Sequence, residues 1–452
     1  MGDTFEPVLL RNAGVADSQS IHTYRARGGY QALRKALGMR PDAVVAEVRE
    51  ANLRGRGGAG FPAGVKWGFL PPDRKVTYLC VNADEAEPCT FNNRVLIEQD
   101  PHQLIEGMLI AGLATRTTTA YVYLRVEYHE PFHILQKAVD EAYAAGLLGR
   151  NILGSNFSME CVIHRGAGAY VCGEETGLIE SIEGKRGWPR IKPPFPAISG
   201  LFGKPTVVNN VETLCCLPHI IERGAEWFGS IGTPGSAGPK LYCVSGHVKR
   251  PGCYEAPLGI SVRELIEGEQ FAQGMRDGRR IKAVNPGGFS VGWLTADELD
   301  MKMDFDDPRK YGLLGLGTAA MVVMDDQTDM REVLLNVTRF FAHESCGQCT
   351  QCREGTAWMY KVTARLAAGA GRPEDLDLLA EVTQTMGMMP GLSICGLSDG
   401  AAYAVRSIVT KFRAEFEDHI RRQTPGRAEQ VMRQTNPALY DRAMARQPQP
   451  GG

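Results

Sequence analysis

Residues 42–53, DAVVAEVREANL, set Val44, Val45, Val48 and Ala51 at helical spacing, which predicts a helix with one apolar face. The stretch 76–82, VTYLCVN, is continuous rather than periodic and reads as a buried strand. From there the chain alternates. Helical patterns over 93–113 break at Pro101, a strand is expected at 120–128, a helix around 131–146, a strand around 159–164 and a short helix near 174–183. Such alternation predicts an α/β domain on a largely parallel sheet, running to about residue 238.

The pattern then changes. ERGAEWFGSIGTPGSAGPK (222–240) ends in what reads as a Gly/Pro/Ser-rich linker. Residues 241–325 mix short strands, LYCVSGHV, IKAVNP and AAMVVMD, with one short helix at 262–267, the composition of a small α+β module. From 329 the periodicity is helical, with helices expected near 329–344, 354–368, 373–386 and 399–422 as a small bundle. The tail beyond about 424, ending RQPQPGG, is expected to be loosely ordered. The expected divisions are therefore 1–238, 239–328, 329–424 and 425–452.

Composition narrows the classes. Acids and bases nearly cancel, at net −2 over 452 residues, so nothing favours nucleic acid or an anionic membrane. The opening MGDTFEPVLLRN has neither a basic start nor an apolar core, so it does not read as a signal peptide, and it lacks the Arg/Ser-rich look of a transit peptide. No run approaches the roughly 18 apolar residues of a membrane span. Twelve cysteines are too few for a disulfide scaffold of this size. Cys80, Cys161, Cys172 and Cys243 stand alone in apolar surroundings and read as buried thiols. A reducing compartment is expected, where thiolates are available to metals.

One group of cysteines is different. ESCGQCTQCREG (344–355) spaces Cys346, Cys349 and Cys352 three apart, and Cys395 in GLSICGLSDG supplies a remote fourth. In the predicted helix layout, the triplet lies just past a helix end and Cys395 in an interhelical loop. This is the spacing of a [4Fe–4S] site, three thiolates taking three corners of a cube and a distant one the fourth. Zinc, which more often takes two C-x2-C pairs, and a coincidence of spacing with no metal are the alternatives. A cluster keeping all four ligands moves one electron at a time, which raises the question of an electron source.

Two glycine loops bear on it. RGRGGAGFPAGVKWGF (54–69) contains Gly55, Arg56, Gly57, Gly58, Ala59 and Gly60, a literal G-x-G-x-x-G. A helical pattern precedes it instead of a strand, so it is not an ordinary dinucleotide fingerprint. Its backbone could still approach a flat or phosphorylated ligand, with charge from Arg54, Arg56 and Lys66 and rings from Phe61, Trp67 and Phe69. A surface turn over an aromatic cluster explains the same residues equally well. GAGAYVCGEETG (166–177), with Gly166, Tyr170, Gly173, Glu174 and Glu175, has the strand–loop–helix context of a phosphate site. Plain helix capping by its acids is the rival there. NADEAEP (82–88) gathers Asn82, Asp84, Glu85 and Glu87 at a strand end, where carboxylates accept from ribose hydroxyls or a flavin edge, bind a metal, or are simply solvated. VVNNVET (207–213) adds the amides of Asn209 and Asn210, whose donor–acceptor pairs suit a flavin ring.

RGRGGAGFPAGVKW, NADEAEP, GAGAYVCGEET, KPPFPAISGLFGKPTVVNNVET and ESCGQCTQCREG, in this order, resemble the flavin-bearing, NADH-oxidising F-type subunit of bacterial respiratory complex I, NADH:quinone oxidoreductase, from about residue 26 to 422. The resemblance implies a Rossmann-like FMN domain, a ubiquitin-like β-grasp domain and a C-terminal four-helix bundle with a [4Fe–4S] cluster on Cys346, Cys349, Cys352 and Cys395. It implies FMN on Gly55, Gly57 and Lys66, with contacts from Asn82, Asp84, Glu85, Tyr170, Gly173, Glu174, Glu175, Val208, Asn209, Asn210 and Thr213. NADH would stack on Phe61, Phe69 and Phe195, near Glu87 and Lys192. Hydride transfer would be carried by FMN, with no general acid–base pair and no nucleophile from the chain. The implied partners are a thioredoxin-fold [2Fe–2S] subunit and a large multi-cluster subunit leading to quinone, on the cytoplasmic side of the bacterial inner membrane.

The chain departs from the family where a glycine is expected and Cys89 stands, close to the expected nicotinamide pocket; an acid often stands where Asn93 is. The diaphorase subunit of an NAD-linked hydrogenase or formate dehydrogenase is the nearest rival. Many of those carry an extra thioredoxin-like or ferredoxin domain, for which there is no room before residue 54 and no cysteine after Cys395. A zinc-stapled nucleotide-binding module without redox chemistry is the third reading, and it leaves the ordered motifs unexplained.

Overall fold

The computed structural model describes residues 5–388 and 391–423, together with 430, 433 and 434. The expected loosely ordered tail falls, but for those three, outside the described residues. The chain forms two compact units, Met1–Asp326 and Gln327–Gly452.

In the first unit, β1 (Tyr78–Ala83), β2 (Thr119–Leu124), β3 (Glu160–Arg165) and β4 (Thr206–Asn210) form a sheet of order β3–β2–β1–β4, every pair parallel. This is the parallel sheet anticipated from the alternation, and the Rossmann-like core that the resemblance implies. Leu79, Val81, Ala120, Val122 and Val207 are buried in a core shared with the helix Pro101–Thr115. That helix is buried along its whole length, its polar His102, Gln103 and Glu106 included. Its start explains the break at Pro101: Asp100 accepts the Gln103 N–H as cap, and Pro101 takes the first helical position, where no N–H is needed. Gly107 lets it pass tightly against the helix Val211–Cys215, since a Cβ there would stand 2.0 Å from the Leu214 carbonyl oxygen.

The strand order has a functional consequence. The chain steps outward from β1 to β2 to β3, then returns to the other side of β1 as β4. The loops leaving β1 and β4 therefore diverge and open a crevice beyond their C-terminal ends, where open α/β sheets bind ligands.

A hairpin, β5 (Gly232–Thr233) and β6 (Ser236–Ala237), occupies the stretch expected to be a linker. Ser236 and Ala237 are buried, so this segment is packed structure; its Gly/Pro content reflects tight turning. Beyond it β7 (Pro239–Gly246), β8 (Gly252–Pro257), β9 (Ile281–Asn285), β10 (Leu294–Thr295) and β11 (Ala320–Asp325) form a mixed sheet of order β10–β9–β11–β7–β8, with only β7 and β11 parallel. The helix Val262–Glu267, capped by Ser261, buries Val262, Leu265 and Ile266 in a core with Val244, Val284 and Met321. Glu255 on β8 is buried and accepts the backbone N–H groups of Val8, Leu9 and Leu10 at 2.8–3.1 Å, tying the N-terminal segment to this sheet.

The second unit is helical: Met330–Glu344, Thr350–Ala367, Glu374–Met386, Leu397–Lys411 and Arg413–Arg421. The last expected helix is thus two, divided at Phe412. The second begins four residues earlier than expected, at Thr350, because its first turn carries the Cys352 thiol and polar groups in place of an apolar stripe.

Candidate functional site

The crevice at β1 and β4 collects the motifs. Asn82, at the end of β1, donates to the Gly173 carbonyl (2.8 Å) and accepts the Asp84 N–H (3.1 Å), bridging β1 to the loop that follows β3. Across the crevice Asn210 accepts the Glu212 N–H (3.0 Å), capping the next helix. Asn209 is buried and accepts from the Trp67 indole (2.9 Å). Trp67 is therefore a core side chain, closed to the stacking its sequence position suggested.

The first glycine loop closes on itself through the Gly55 N–H to the Phe61 carbonyl (2.9 Å), and it is held from below by the Arg56 N–H donating to the Thr213 hydroxyl (2.8 Å). Gly57 and Ala59 are exposed. A Cβ on Gly57 would stand 3.0 Å from the Asn210 Cβ, and Gly58 at φ +124° has nothing within 4 Å of where a Cβ would be. The result is bare peptide backbone beside an amide side chain, which fits a flat, phosphorylated group such as FMN. The arginines do not supply the charge expected of them. Arg56 is buried and donates to the Ala237 carbonyl (2.7 Å), while Arg54 donates to the Gly60 carbonyl (2.7 Å) and lies over the Phe305 ring at 4.0 Å.

Charge is concentrated instead in a chain of four side chains. Lys66 donates to Glu175 (2.7 Å) and to the Val208 carbonyl (3.1 Å); Lys192 donates to Glu175 (3.2 Å) and Glu174 (2.8 Å). Burial works to raise the Glu175 carboxyl, but Lys66 and Lys192 outweigh it and hold it below the ordinary range. Burial likewise works to lower Lys192, and the two glutamates raise it. Glu174 also accepts the Thr176 N–H (2.8 Å) and Gly177 N–H (2.9 Å), capping the helix Glu175–Ile182. The capping alternative describes this loop's acid, and those N–H groups are not open to a phosphate.

The acids of NADEAEP divide. Glu85 turns back into the protein, accepting from the Tyr128 hydroxyl (2.7 Å) and the N–H groups of Asn93 (2.7 Å) and Arg94 (3.0 Å); burial pushes it up to about 7 against those bonds. The Asp84 carboxylate lies 3.7 Å from where a Gly173 Cβ would stand. Glu87 faces the mixed sheet, accepting from the Tyr170 hydroxyl (2.5 Å), the Ser290 N–H (3.0 Å) and the Ser290 hydroxyl (2.8 Å); burial raises its pKa. Phe61, Phe69 and Phe195 are about half exposed, and the first two have ring centroids 6.1 Å apart. Gly166 has the Tyr123 hydroxyl 2.8 Å from where its Cβ would be, a close approach with a packing role. Sequence reasoning missed Ser290, which pins Glu87. GGFSVGW (287–293), directly after the strand IKAVNP, carried the signal.

In the helical unit, Cys346 follows the helix ending at Glu344, Cys349 caps the helix Thr350–Ala367, Cys352 lies in that helix's first turn, and Cys395 immediately precedes Gly396, the cap of the helix Leu397–Lys411. The Ile394 N–H donates to the Cys349 sulfur (3.4 Å), which brings the backbone beside Cys395 to the triplet. Ser345 lies 3.3 Å from the Cys352 sulfur, and burial, with Cys346 and Cys349 nearby, pushes that thiol up to about 11. Among the described residues, no three His, Cys, Asp or Glu side chains are grouped as ligands of a metal ion, and no cysteine forms a disulfide. A donor set of four thiols, Cys346, Cys349, Cys352 and Cys395, is chemically that of an iron–sulfur cubane.

Comparison with known proteins defines the class first. Residues 48–219 match the Nuo51 FMN-binding domain, residues 332–419 the NADH-ubiquinone oxidoreductase-F iron-sulfur binding region, and residues 241–268 the SLBB domain. The chain is an oxidoreductase with an FMN-binding and a 4Fe–4S-binding region. It is 53% identical over 418 residues to the second F-type subunit of NADH-quinone oxidoreductase of Rhizobium meliloti (strain 1021), covering 92% of this chain and 98% of that one. It is 47% identical over 401 residues to the mitochondrial NADH dehydrogenase [ubiquinone] flavoprotein 1 of Dictyostelium discoideum, covering 88% and 82%. Among solved structures it resembles NAD+-reducing [NiFe]-hydrogenase in the air-oxidized state, with TM-score 0.78 and 37% identity, covering 92% of this chain and 67% of the hydrogenase chain. The chain belongs to the family of F-type subunits of NADH-quinone oxidoreductase.

Proposed function

We propose that this chain takes a hydride from NADH onto FMN and passes single electrons through iron–sulfur centres toward quinone. The observation that carries this reading is the convergence of four motifs on one switch-point crevice: the bare backbone of Gly57–Ala59, Asn82 and Asn210 at the strand ends, and the Lys66–Glu175–Lys192–Glu174 chain. FMN supplies two-electron acceptance and one-electron release, and the cluster supplies one-electron transfer. The residues position and tune. Gly55, Gly57, Gly58 and Lys66 would hold the flavin phosphate side, and Asn82, Asp84, Asn209, Asn210 and Thr213 the ring side. The exposed rings of Phe61, Phe69 and Phe195 would stack the dinucleotide. Glu87, held by Tyr170 and Ser290, and Lys192 would lie near it. Cys346, Cys349, Cys352 and Cys395 would hold the cluster. No side chain is needed as acid or base, so orientation is the protein's contribution.

Two further readings belong to this proposal. Residues 239–328 act as a ubiquitin-like β-grasp domain, supported by one helix packed in the core of a five-stranded mixed sheet, and 329–424 as a four-helix bundle, supported by its successive packed helices. The partners are a thioredoxin-fold [2Fe–2S] subunit and a multi-cluster subunit, at the cytoplasmic side of the inner membrane. Among the described residues no helix is long and apolar enough to cross a membrane. The hydrogenase likeness supports a second reading, a diaphorase subunit of an NAD-linked hydrogenase or formate dehydrogenase.

The test is an anaerobic NADH titration of the purified chain followed by visible absorbance. Bleaching of a flavin band together with a broad iron–sulfur band is expected. A chain that stays colourless, without iron or flavin after reconstitution, overturns the proposal. The proteins that copurify separate quinone reductase from hydrogenase.

A further inference from the structure

The helix Met330–Glu344 ends at Ser345, whose backbone N–H donates to the Phe341 carbonyl (3.0 Å) and closes the last turn. The Ser345 side chain takes no part in that. It reaches instead to the first turn of the next helix, where its hydroxyl lies 3.3 Å from the Cys352 sulfur. Among the four thiols of the expected cluster site, Cys352 is the buried one; Cys346, Cys349 and Cys395 are half-buried. The Thr356 hydroxyl donates to the Cys352 carbonyl (2.8 Å), so Cys352 is held at its backbone as well as approached at its sulfur. A second sulfur, that of Cys349, receives a main-chain donor, the Ile394 N–H (3.4 Å).

We infer that Ser345 is a positioning residue for the iron–sulfur cluster: through the Cys352 sulfur, its hydroxyl makes the cluster easier to reduce. The inference deepens the function proposed above and rests on it. As a free thiol, Cys352 can give or take the proton of this contact. A thiolate ligand carries no proton, so once Cys352 is a ligand the Ser345 hydroxyl is the donor. One electron entering the cluster adds one negative charge, part of which falls on the ligand sulfurs. A donor aimed at a sulfur stabilises the more negative state more than the other, which raises the reduction potential. Burial enlarges the effect at Cys352, because a hydrogen bond is stronger where water is excluded. The donor can also be removed cleanly. Ser345→Ala deletes the hydroxyl and keeps the main-chain bond to Phe341, whereas the donor to Cys349 is backbone and survives the change.

The experiment compares Ser345→Ala and Ser345→Thr with the parent, each as the full chain reconstituted with FMN, iron and sulfide. Iron analysis gives cluster occupancy, and a redox titration followed by electron paramagnetic resonance gives the cluster's reduction potential. Ser345→Ala is expected to keep its iron and to become about three- to tenfold harder to reduce, a potential about 28–59 mV more negative. Ser345→Thr, which keeps a hydroxyl, is expected to remain within about twofold of the parent. An alanine variant with full iron and the parent's potential overturns the inference and leaves Ser345 a helix-end residue. An alanine variant that loses its iron outright also overturns it, because the hydroxyl is then required to hold the cluster and does not tune it. A threonine variant shifted as far as alanine does the same, since the hydroxyl is then not the cause. A parent chain that takes up neither iron nor flavin overturns the proposed function itself, which is a separate and distinguishable failure.

Discussion

The two glycine-rich loops reverse the expectation set by their surroundings. The loop at 54–61 follows the helix Pro41–Glu50, the wrong context for a dinucleotide fingerprint, yet it exposes bare backbone at Gly57 and Ala59. The loop at 166–174 has the right context, β3 before it and the helix Glu175–Ile182 after it, yet the N–H groups of Thr176 and Gly177 are already taken by Glu174. A helix N-terminus attracts an anion through unsatisfied donors, and an acid at the cap position satisfies them internally. The second loop therefore contributes carboxylate and ordered charge, and the first contributes open peptide.

Gly60→Val would break the comparison most forcefully. Gly60 has φ +66°, and a Cβ would stand 2.6 Å from the Phe305 ring, so a loss of about 2–5 kcal/mol is expected, with flavin-free protein on purification. Full flavin content by absorbance in a folded variant would remove the first loop from the site. Next in size is Glu85, the acid that turns away from both loops. Its pKa is raised from 4.5 to about 7, so the folded state holds the proton more tightly than the unfolded state. Its contribution is full below about 4.5 and is lost as pH rises through 7, a span on the order of 3 kcal/mol. Thermal unfolding between pH 5 and 8 is expected to show that slope, and Glu85→Gln to flatten it; an unchanged slope assigns the titration elsewhere.

Lys66→Met would sharpen the contrast on the charged side. With Lys192 alone facing it, Glu175 rises toward the ordinary carboxylate range, and flavin retention, read from released fluorescence, is expected to weaken about tenfold, or 1.4 kcal/mol. The smallest effect belongs to Glu174→Ala. Losing the cap is expected to cost about 1 kcal/mol of stability in thermal unfolding, with flavin affinity no better than before. A gain in flavin affinity would mean that the freed N–H groups bind phosphate, and the ranking of the loops would have to be exchanged.

Much of this was legible in the sequence because local signals and tertiary structure agreed. The short helix at 262–267 has a serine cap and three buried apolar residues, and Pro101 with Asp100 marks both the end of one helix and the start of the next. The parallel sheet followed from the alternation alone. What stayed hidden depended on partners distant in sequence. The hairpin at 232–237 reads as a linker until Arg56 is seen bonded to Ala237. The strand Gly252–Pro257 opens with glycine and ends with proline, and its pairing with β7 gives it the character that its composition lacks. The first turn of the helix Thr350–Ala367 holds Thr350, Gln351, Cys352 and Arg353, so no apolar period announces it. Likewise the direction of the Arg56 side chain is a property of its burial and cannot be read from a string of glycines.

The Glu255 carboxylate that gathers the N–H groups of Val8, Leu9 and Leu10 lies 247 residues downstream of Val8. On a ribosome adding about 5–20 residues per second, that interval is roughly 12–50 s. The first segment to emerge is thus among the last to be secured. Throughout synthesis of the flavin-loop half, Val8 to Leu10 remain without their carboxylate partner, and they dock only when the mixed sheet has been made. The glycine loop and parallel sheet are therefore translated before the strap that fastens the N-terminal segment to β8.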